Sequence, residues 1–441
     1  MKRYMFTTAL AAGLCVCAAA QPEGPWSLKD CTDYALEHNI SVRQSGISVQ
    51  QKEIDLNTAQ ARRLPGLSLG ASENVSFGRG LTADNTYTNS NTSSTSLSLG
   101  ADLPIFQGFQ INNGIKRGRL QLDAAMADLE KAKDDIRVSV AQAYVQILYN
   151  EQIALVARVQ VAHDSTLLEQ IEVREHAGTA SAADVSAQKA ALAQSRLNCV
   201  QAEGNLQISI LELTQLLELP SPEGFSIVSP SVEALEPQML MNPEDIYARA
   251  LEIRPAIKSA QLGLQSAEID IADAKGAFLP SLSLNGGIGT NYYTTTDRDF
   301  GSFGNQIKNN FSQYVGLSLS IPIFTRFSNR NSLRSARLSY ANTQLLLESE
   351  KKALYKEIQQ AYYNALTSQS RLSSSRESAA SAREHYGMVE QKYINGKASV
   401  TDYNDAKNNF LQAESEYIQA RYECLFQTRL LDFYRGEEIV F

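Results

Sequence analysis

The second half of this chain repeats the first. Tyr34-Ala35-Leu36-Glu37 matches Arg249-Ala250-Leu251-Glu252, and Leu64-Pro65-Gly66-Leu67-Ser68-Leu69 matches Leu279-Pro280-Ser281-Leu282-Ser283-Leu284, both at an offset of 215. Leu103-Pro104-Ile105-Phe106 matches Ile321-Pro322-Ile323-Phe324, Ala143-Tyr144 matches Ala361-Tyr362, Gly178 matches Gly396 and Asp184 matches Asp402, all at 218. Three residues are therefore inserted between Leu284 and Ile321, and one duplicated unit accounts for the chain after its leader.

Proline interrupts helix and sheet ladders alike, so its distribution marks the joints. Five of the 12 prolines (Pro220, Pro222, Pro230, Pro237, Pro243) crowd a linker at 220–243, while none occurs from Ile105 to Leu219 or from Ile323 to the end. Both proline-free stretches read as helix. In the first, apolar or small residues recur at Leu122, Met126, Leu129, Ile136, Val140, Ala143, Ile147, Ala154, Ala157, Val161, Leu168 and Ile171, with skips at Lys133, Asn150 and Asp164. Alternating steps of three and four sustained this long signal coiled-coil packing. One helix from Ile111 to Ala177 would reach about 100 Å at 1.5 Å per residue, and the pattern breaks at Gly178 and Gly396. Each repeat is thus expected to carry a long helical hairpin, 111–219 and 329–435, with its turn at a glycine. The domains are repeat 1 at 21–219 and repeat 2 at 244–441.

At the other end of each hairpin the period becomes two. Leu67, Leu69 and Ala71 alternate with polar residues, as do Leu97, Leu99, Ala101 and Leu103, then Leu282, Leu284, Gly286 and Ile288, then Val315, Leu317, Leu319, Ile321 and Ile323. Strands are expected at 66–79, 95–106, 281–293 and 312–324, with solvent-facing loops between the members of each pair. One apolar and one polar face suit a wall between lipid and water, but the strands alone fit an ordinary half-buried sheet better. Helices rich in Gln, Ser, Ala and Glu with narrow apolar stripes, as in a thin-walled tube wetted on both sides, turn the reading toward the wall. An unpaired strand edge cannot be satisfied in lipid, and membrane barrels begin at eight strands, so four must be completed by further copies. The fold class is mainly α with membrane β.

Lys2 and Arg3, an apolar run from Met5 to Val16 and Ala18-Ala19-Ala20 before Gln21 have the layout of a secretory signal peptide at 1–20. Lipidation at Cys15 or Cys17 is the second choice, because large residues precede both. Without the leader the formal charge of −8 becomes −10, which argues against nucleic acid and anionic lipid as main partners. Cys31, Cys199 and Cys424 then remain, an odd and scattered set that gives no disulfide framework and reads as small buried residues. No stretch approaches the 18 or so apolar residues of a membrane-spanning helix, which leaves any crossing to strands.

Convergent catalytic groups are missing from the sequence. His38, His163, His176 and His385 lack metal-ligand spacing, and Glu175-His176 and Glu384-His385 fall on hairpin faces expected to be solvated. There is no phosphate loop, nucleophile elbow or dinucleotide fingerprint. No enzyme, cofactor or metal is expected.

The whole mature chain resembles the TolC-type outer membrane efflux proteins. The resemblance is carried by Arg63-Leu64-Pro65 and Phe278-Leu279-Pro280 where strands start, by the two strand exits quoted above, and by Gly178-Thr179-Ala180-Ser181-Ala182-Ala183-Asp184-Val185 and Gly396-Lys397-Ala398-Ser399-Val400-Thr401-Asp402 at the tips. It implies a homotrimer in the outer membrane of a Gram-negative bacterium, a 12-stranded β-barrel on a 12-helix periplasmic α-barrel tunnel. The tips would receive a periplasmic adaptor protein from an inner-membrane pump, in efflux or type I secretion. By position from the tip glycine, a constricting aspartate ring falls on Asp402 and Asp405, and Asp184 and Tyr393 match members of the network that holds the entrance shut. The family's arginine in that network is replaced by Ala398, with Lys397 one position earlier. Without the positional match Asp402 and Asp405 read as solvated acids near a helix start. Adaptor docking falls on Gly178, Thr179, Ala180, Gly396, Lys397 and Ala398. The alternative is a periplasmic coiled-coil scaffold or adaptor without a pore.

Overall fold

A computed structural model describes residues 24–81, 85–89, 91–229, 239–296 and 299–440. The leader, and Pro230 and Pro237 of the linker, lie outside the described residues. No helix among the described residues is long and apolar enough to cross a membrane.

Each repeat opens with two helices. Helices α1 (Leu28–His38) and α2 (Ile40–Ala61) are divided at Asn39, and α5 (Pro243–Ile253) and α6 (Pro255–Gly276) at Arg254. Pro255 drives the residue before it out of the helical region, and Arg254 is extended at φ −69°, ψ 126°. Asn39 takes the same geometry without a proline, because its side chain accepts the Ser41 amide at 2.9 Å and caps α2.

The strands are β1 (Gly66–Ser76), the short pair β2 (Arg79–Leu81) and β3 (Tyr87–Asn89), β4 (Thr92–Gln107), β5 (Ser281–Thr295) and β6 (Ser312–Ser320). An antiparallel sheet has the order β1-β4-β5-β6, so the repeats join through β4 and β5. Register puts Leu67, Leu69, Leu97, Leu99, Leu103, Leu282, Leu284, Ile288, Val315, Leu317 and Leu319 on one face. Ser68, Ser72, Ser96, Ser98, Asp102, Asn285 and Ser318 lie on the other. The segment between β5 and β6 is not all loop, for it holds helix α7 (Phe303–Asn309), tied down by Gln306 to both backbone groups of Tyr293.

Strand β6 ends at Ser320, short of the expected 324. Its partner β5 begins at Ser281, opposite Ser320, right after Pro280, which has no amide to extend the ladder. In β4 a bulge between Pro104 and Phe106 brings Gln107 opposite Ser281, so that strand runs on to Gln107. Both exits turn into helix through consecutive left-handed residues, Gly108 and Phe109 in one repeat and Arg326 and Phe327 in the other. Gly108 has no room for a side chain: a Cβ there would sit 2.2 Å from the Gly276 carbonyl oxygen.

From these turns rise α3 (Gln110–His176) and α8 (Ser328–Ile394), each of 67 residues, followed by the returning helices α4 (Ala182–Leu216) and α9 (Val400–Arg435). At about 1.5 Å per residue α3 and α8 are each about 100 Å long. The shorter helices stack end to end. Asn39 Nδ2 donates to the Leu216 carbonyl at 3.0 Å, setting α2 on α4, and Arg254 Nη2 donates to the Phe433 carbonyl at 2.7 Å, setting α6 on α9. Four columns result, in the order α4/α2, α3, α9/α6, α8. Near the sheet α3 packs between α2 and α6 rather than against α4, which is why Ala125 and Ala127 are buried there and Met126 of the expected stripe is 44% exposed.

The main core surrounds the α4/α2 joint, where Trp26 and, on α1, Cys31 and Ala35 gather with Tyr144, Leu148, Leu213 and Leu217. A smaller one surrounds the α9/α6 joint, with Ile246, Ile257, Leu354, Ile358 and Leu431. Cys31 and Cys424 are buried as expected, Cys199 is only half-buried, and all three are free thiols.

Candidate functional site at the hairpin tips

The tips are two copies of one backbone device. Helix α3 ends when Gly178, at φ 72°, lets the Thr179 amide reach back to the Arg174 carbonyl at 2.8 Å and the Gly178 amide to that of Glu175 at 2.9 Å. Gly396, at φ 71°, does the same for α8 through Lys397 to Lys392 at 2.7 Å and Gly396 to Tyr393 at 3.0 Å. This αL ending satisfies the last carbonyls of each helix, and a residue with a Cβ is strained in it.

Each returning helix starts with a capping box. The Ser181 hydroxyl accepts the Asp184 amide at 3.1 Å, and Asp184 Oδ2 accepts the Ser181 amide at 2.9 Å and hydroxyl at 2.7 Å. Ser399 and Asp402 repeat the arrangement at 3.1, 3.1 and 2.7 Å. Asp184 is held below the usual carboxylate range by the Ser181 amide and hydroxyl, with Arg174 adding to the effect, and Asp402 by the Ser399 hydroxyl and amide. Both carboxylates are therefore ionised near neutral pH. Asp402 and Asp405 are exposed and lie three residues apart on one helix face, while Asp184 is half-buried.

Tyr393 lies inside the tip rather than on its rim. It is 7% exposed and stacks on Tyr403 with ring centroids 4.8 Å apart, in a small core with Leu167 and Ile171. Burial pushes its phenol up, the charge of Asp184 adds to the rise, and Arg174 opposes it, so these three lie within electrostatic reach of one another. The docking candidates divide. Gly178, Thr179, Gly396 and Lys397 are exposed, whereas Ala180 and Ala398 pack against the tip core and set its spacing.

Sequence reasoning missed two features. Arg174, in the last turn of α3, crosses to α8 and donates to the Ile394 carbonyl at 3.0 Å. Farther from the tip, Asp164 of α3 is fully buried and pairs with Lys407 of α9 at 2.8 and 3.1 Å. The signal for Asp164 was its place as a polar interruption of the apolar stripe. Asn150, another interruption, is likewise buried and donates to the Asn205 carbonyl at 3.3 Å. His176 and His385 are exposed as expected, but His163 joins the Asp164 network.

Known proteins resolve what this architecture belongs to. The outer membrane efflux protein family matches residues 32–218 and 246–436, one segment in each repeat. The chain belongs to this family. Among curated relatives, the outer membrane protein TolC of Escherichia coli strain K12 is 24% identical over 395 residues, covering 88% of this chain and 77% of that protein. Protein CyaE of Bordetella pertussis is 24% identical over 410 residues, covering 92% and 82%. Among solved structures, the CmeC outer membrane channel of Campylobacter jejuni superposes with a TM-score of 0.78 at 17% identity, covering 93% of this chain and 86% of that one. The outer membrane protein VceC of Vibrio cholerae gives 0.73 at 19%, covering 93% and 96%. As an outer membrane efflux protein, the chain is a channel subunit of the outer membrane, with its sheet in the bilayer and its helices in the periplasm. That decides against a periplasmic scaffold without a pore. Exposed Phe109, Phe278, Phe324 and Phe327 cluster where sheet meets helices, as aromatic residues do at the edge of a membrane belt.

Proposed function

We propose that three copies of this chain close into one exit duct, a 12-stranded barrel continuous with a 12-helix tunnel, whose tips are engaged by a periplasmic adaptor of an inner-membrane pump. The observation that carries this is that both layers end open on the same two sides. Among the described residues of the sheet, β1 and β6 each have no partner strand on their outer edge. In the helical layer the outer columns are α4/α2 and α8. Column α4/α2 exposes Ile40, Ile47 and Ile54 at seven-residue steps, and Leu197, Val200, Ile208 and Leu211; α8 exposes Leu338, Leu345 and Leu366 at multiples of seven. Exposed heptad stripes seek a partner helix, and bare strand edges in lipid require one. The number three comes from the family resemblance.

In this reading Asp402 and Asp405, with Asp184 and Tyr393 behind them, form the constriction, and threefold repetition gathers fixed negative charge at the entrance. Gly178, Thr179, Gly396 and Lys397 offer the adaptor an exposed backbone surface, with Ala180 and Ala398 supporting it. Light scattering of detergent-extracted protein is expected to give three chains per particle, and a monomer refutes the shared barrel. Asp402→Asn with Asp405→Asn is expected to weaken cation preference in planar bilayers, and an unchanged reversal potential removes both residues from the constriction.

A further inference from the structure

Between the tip core and the joints, polar groups from all four long helices meet inside the layer. Asp164 Oδ1 accepts Gln160 Nε2 at 3.0 Å and Lys407 Nζ at 3.1 Å, and Oδ2 accepts Lys407 Nζ at 2.8 Å and the Ser195 hydroxyl. Gln188 of α4 donates to the Asp164 carbonyl at 3.3 Å. The side chain of Asp164 is 0% exposed and that of Lys407 6%. Next to them, His163 Nε2 stands 2.5 Å from Glu390 Oε1 on α8, and His163 Nδ1 stands 3.9 Å from Asp164 Oδ1, close enough for charge attraction. Both ion pairs cross from the first hairpin to the second.

The duplication shows that this is not a general property of the unit. At an offset of 218, Glu390 corresponds to Glu172 and Lys407 to Lys189, whereas Asp164 corresponds to Ala382 and His163 to Ser381. Glu172 and Lys189 pair with each other at 3.1 Å within one hairpin, on its surface. In the second repeat the same two residue types are turned apart and spent on the other hairpin.

We propose that Asp164, Lys407, His163 and Glu390 are positioning residues that fix the separation of the two hairpin tips of one chain, and that His163 makes this separation respond to protons. The inference rests on the reading of the tips as the duct entrance. Burial raises the Asp164 carboxyl, but His163, Lys407 and Ser195 outweigh it and hold the group well below its usual range, so Asp164 stays charged. The charged and titratable groups against the imidazole are Asp164 on its own helix and Glu390 and Tyr386 on α8. Behind them, on α9, Lys407 holds Asp164 and Tyr403 holds Tyr386, and α4 contributes to Asp164 the neutral Gln188 and Ser195. Asp164, then Glu390, hold the imidazole above its ordinary 6.5 against the cost of partial burial. Burial keeps both phenols protonated. A raised histidine supplies its stabilisation in full below the ordinary value and loses it as pH rises through the raised one. The hairpins are therefore held together in acid and loosen toward alkaline pH.

The test uses the full trimer in planar bilayers, titrated from about pH 5.5 to 8.5, a range that brackets an imidazole and lies above carboxylate titration. Wild-type conductance is expected to rise with pH. His163→Gln and Glu390→Gln are each expected to abolish the slope, while His176→Gln and His385→Gln, at exposed positions, keep it. Amide exchange over residues 386–407 of the same protein, corrected for intrinsic rates, reads the hairpin contact without a pore. It is expected to slow in acid in wild type and to lose that dependence in His163→Gln. A loss of pH response in exchange but not in conductance upholds the contact and removes the tips from the entrance. A slope retained in both measurements by His163→Gln and Glu390→Gln, or absent from exchange in wild type, overturns the proposal.

Discussion

Where the first repeat has Asn39 between its two leading helices, the second has Arg254, and the two residues join the same helix ends by different chemistry. Asn39 caps α2 and donates one hydrogen bond to the end of α4. Arg254 makes no side-chain cap, since Pro255 already fixes the first turn of α6 and leaves the guanidinium free. It donates to the Phe433 carbonyl, pairs with Asp134 on α3 at 3.1 Å, and lies over the Phe433 and Tyr434 rings at 4.2 and 4.9 Å. The tip-side ion pairs diverge in the same sense: Glu172 and Lys189 pair on the surface of repeat 1, whereas their counterparts in repeat 2 make cross-hairpin pairs, buried for Lys407 and half-buried for Glu390. The reason is geometric. Among the described residues of the helical layer the repeats meet mainly where α3 borders α6 and α9, and toward the tips α3 also reaches α8, so residues of the second repeat turn to partners in the first along that border. The lengths of corresponding helices stayed within one residue through the duplication, while the contacts at the border changed.

The largest break in this comparison is expected from Lys407→Met. It strands the buried Asp164 charge, and removing one partner of a buried pair costs about 3–5 kcal/mol. Its equivalent, Lys189→Met, is expected to cost no more than about 1 kcal/mol, the usual worth of an exposed pair. Local opening free energies from amide exchange near residues 400–410 and 182–192 measure both. Equal costs would mean that burial does not separate the two pairs. Next comes Arg254→Ala, which removes two charge-assisted hydrogen bonds and the ring contacts and is expected to loosen the start of α6 by about 3 kcal/mol. Asn39→Ala, a lost cap and one hydrogen bond, is expected to cost about 1–2 kcal/mol at the start of α2. An asparagine effect as large as that of the arginine would remove the distinction between the joints.

Much of this molecule was legible in the sequence because it rests on backbone rules. A 67-residue proline-free heptad pattern, four alternating strands and two glycine turns describe the skeleton, and the duplication checks each against its copy. The ends were less legible. Nothing in Ile321-Pro322-Ile323-Phe324 differs in pattern from Leu103-Pro104-Ile105-Phe106, yet only the latter lies in a strand, since where β6 stops depends on its partner β5. The break at Asn39 was hidden because a side-chain cap leaves no proline behind. Asp164 was noticed only as a gap in the stripe, for a pairing between residues 243 apart has no local signature. Asp402 carries two readings: the structure shows it in a capping box, as any acid at that position can be, and its place in a constricting ring belongs to the proposed function.

The smallest effect tests where the repeats should still agree. Ser181→Ala and Ser399→Ala each remove the hydroxyl of a capping box, and because the two boxes share one geometry the losses should match, at about 1 kcal/mol for Ser181 by the general worth of an N-cap. Acid should act on both in the same direction. Asp184 and Asp402 are held below the ordinary value of 3.8, so their contribution is complete above that value and is lost as pH falls through the lowered one. Near neutral pH both caps are intact, and fraying of α4 and α9 should appear only in strong acid. Amide exchange of the first turns, compared between Ser181→Ala and Ser399→Ala, decides the matter. If one tip frays and the other does not, the surrounding contacts rather than the boxes hold that helix start, and the Arg174 bridge to Ile394 is the first contact to remove.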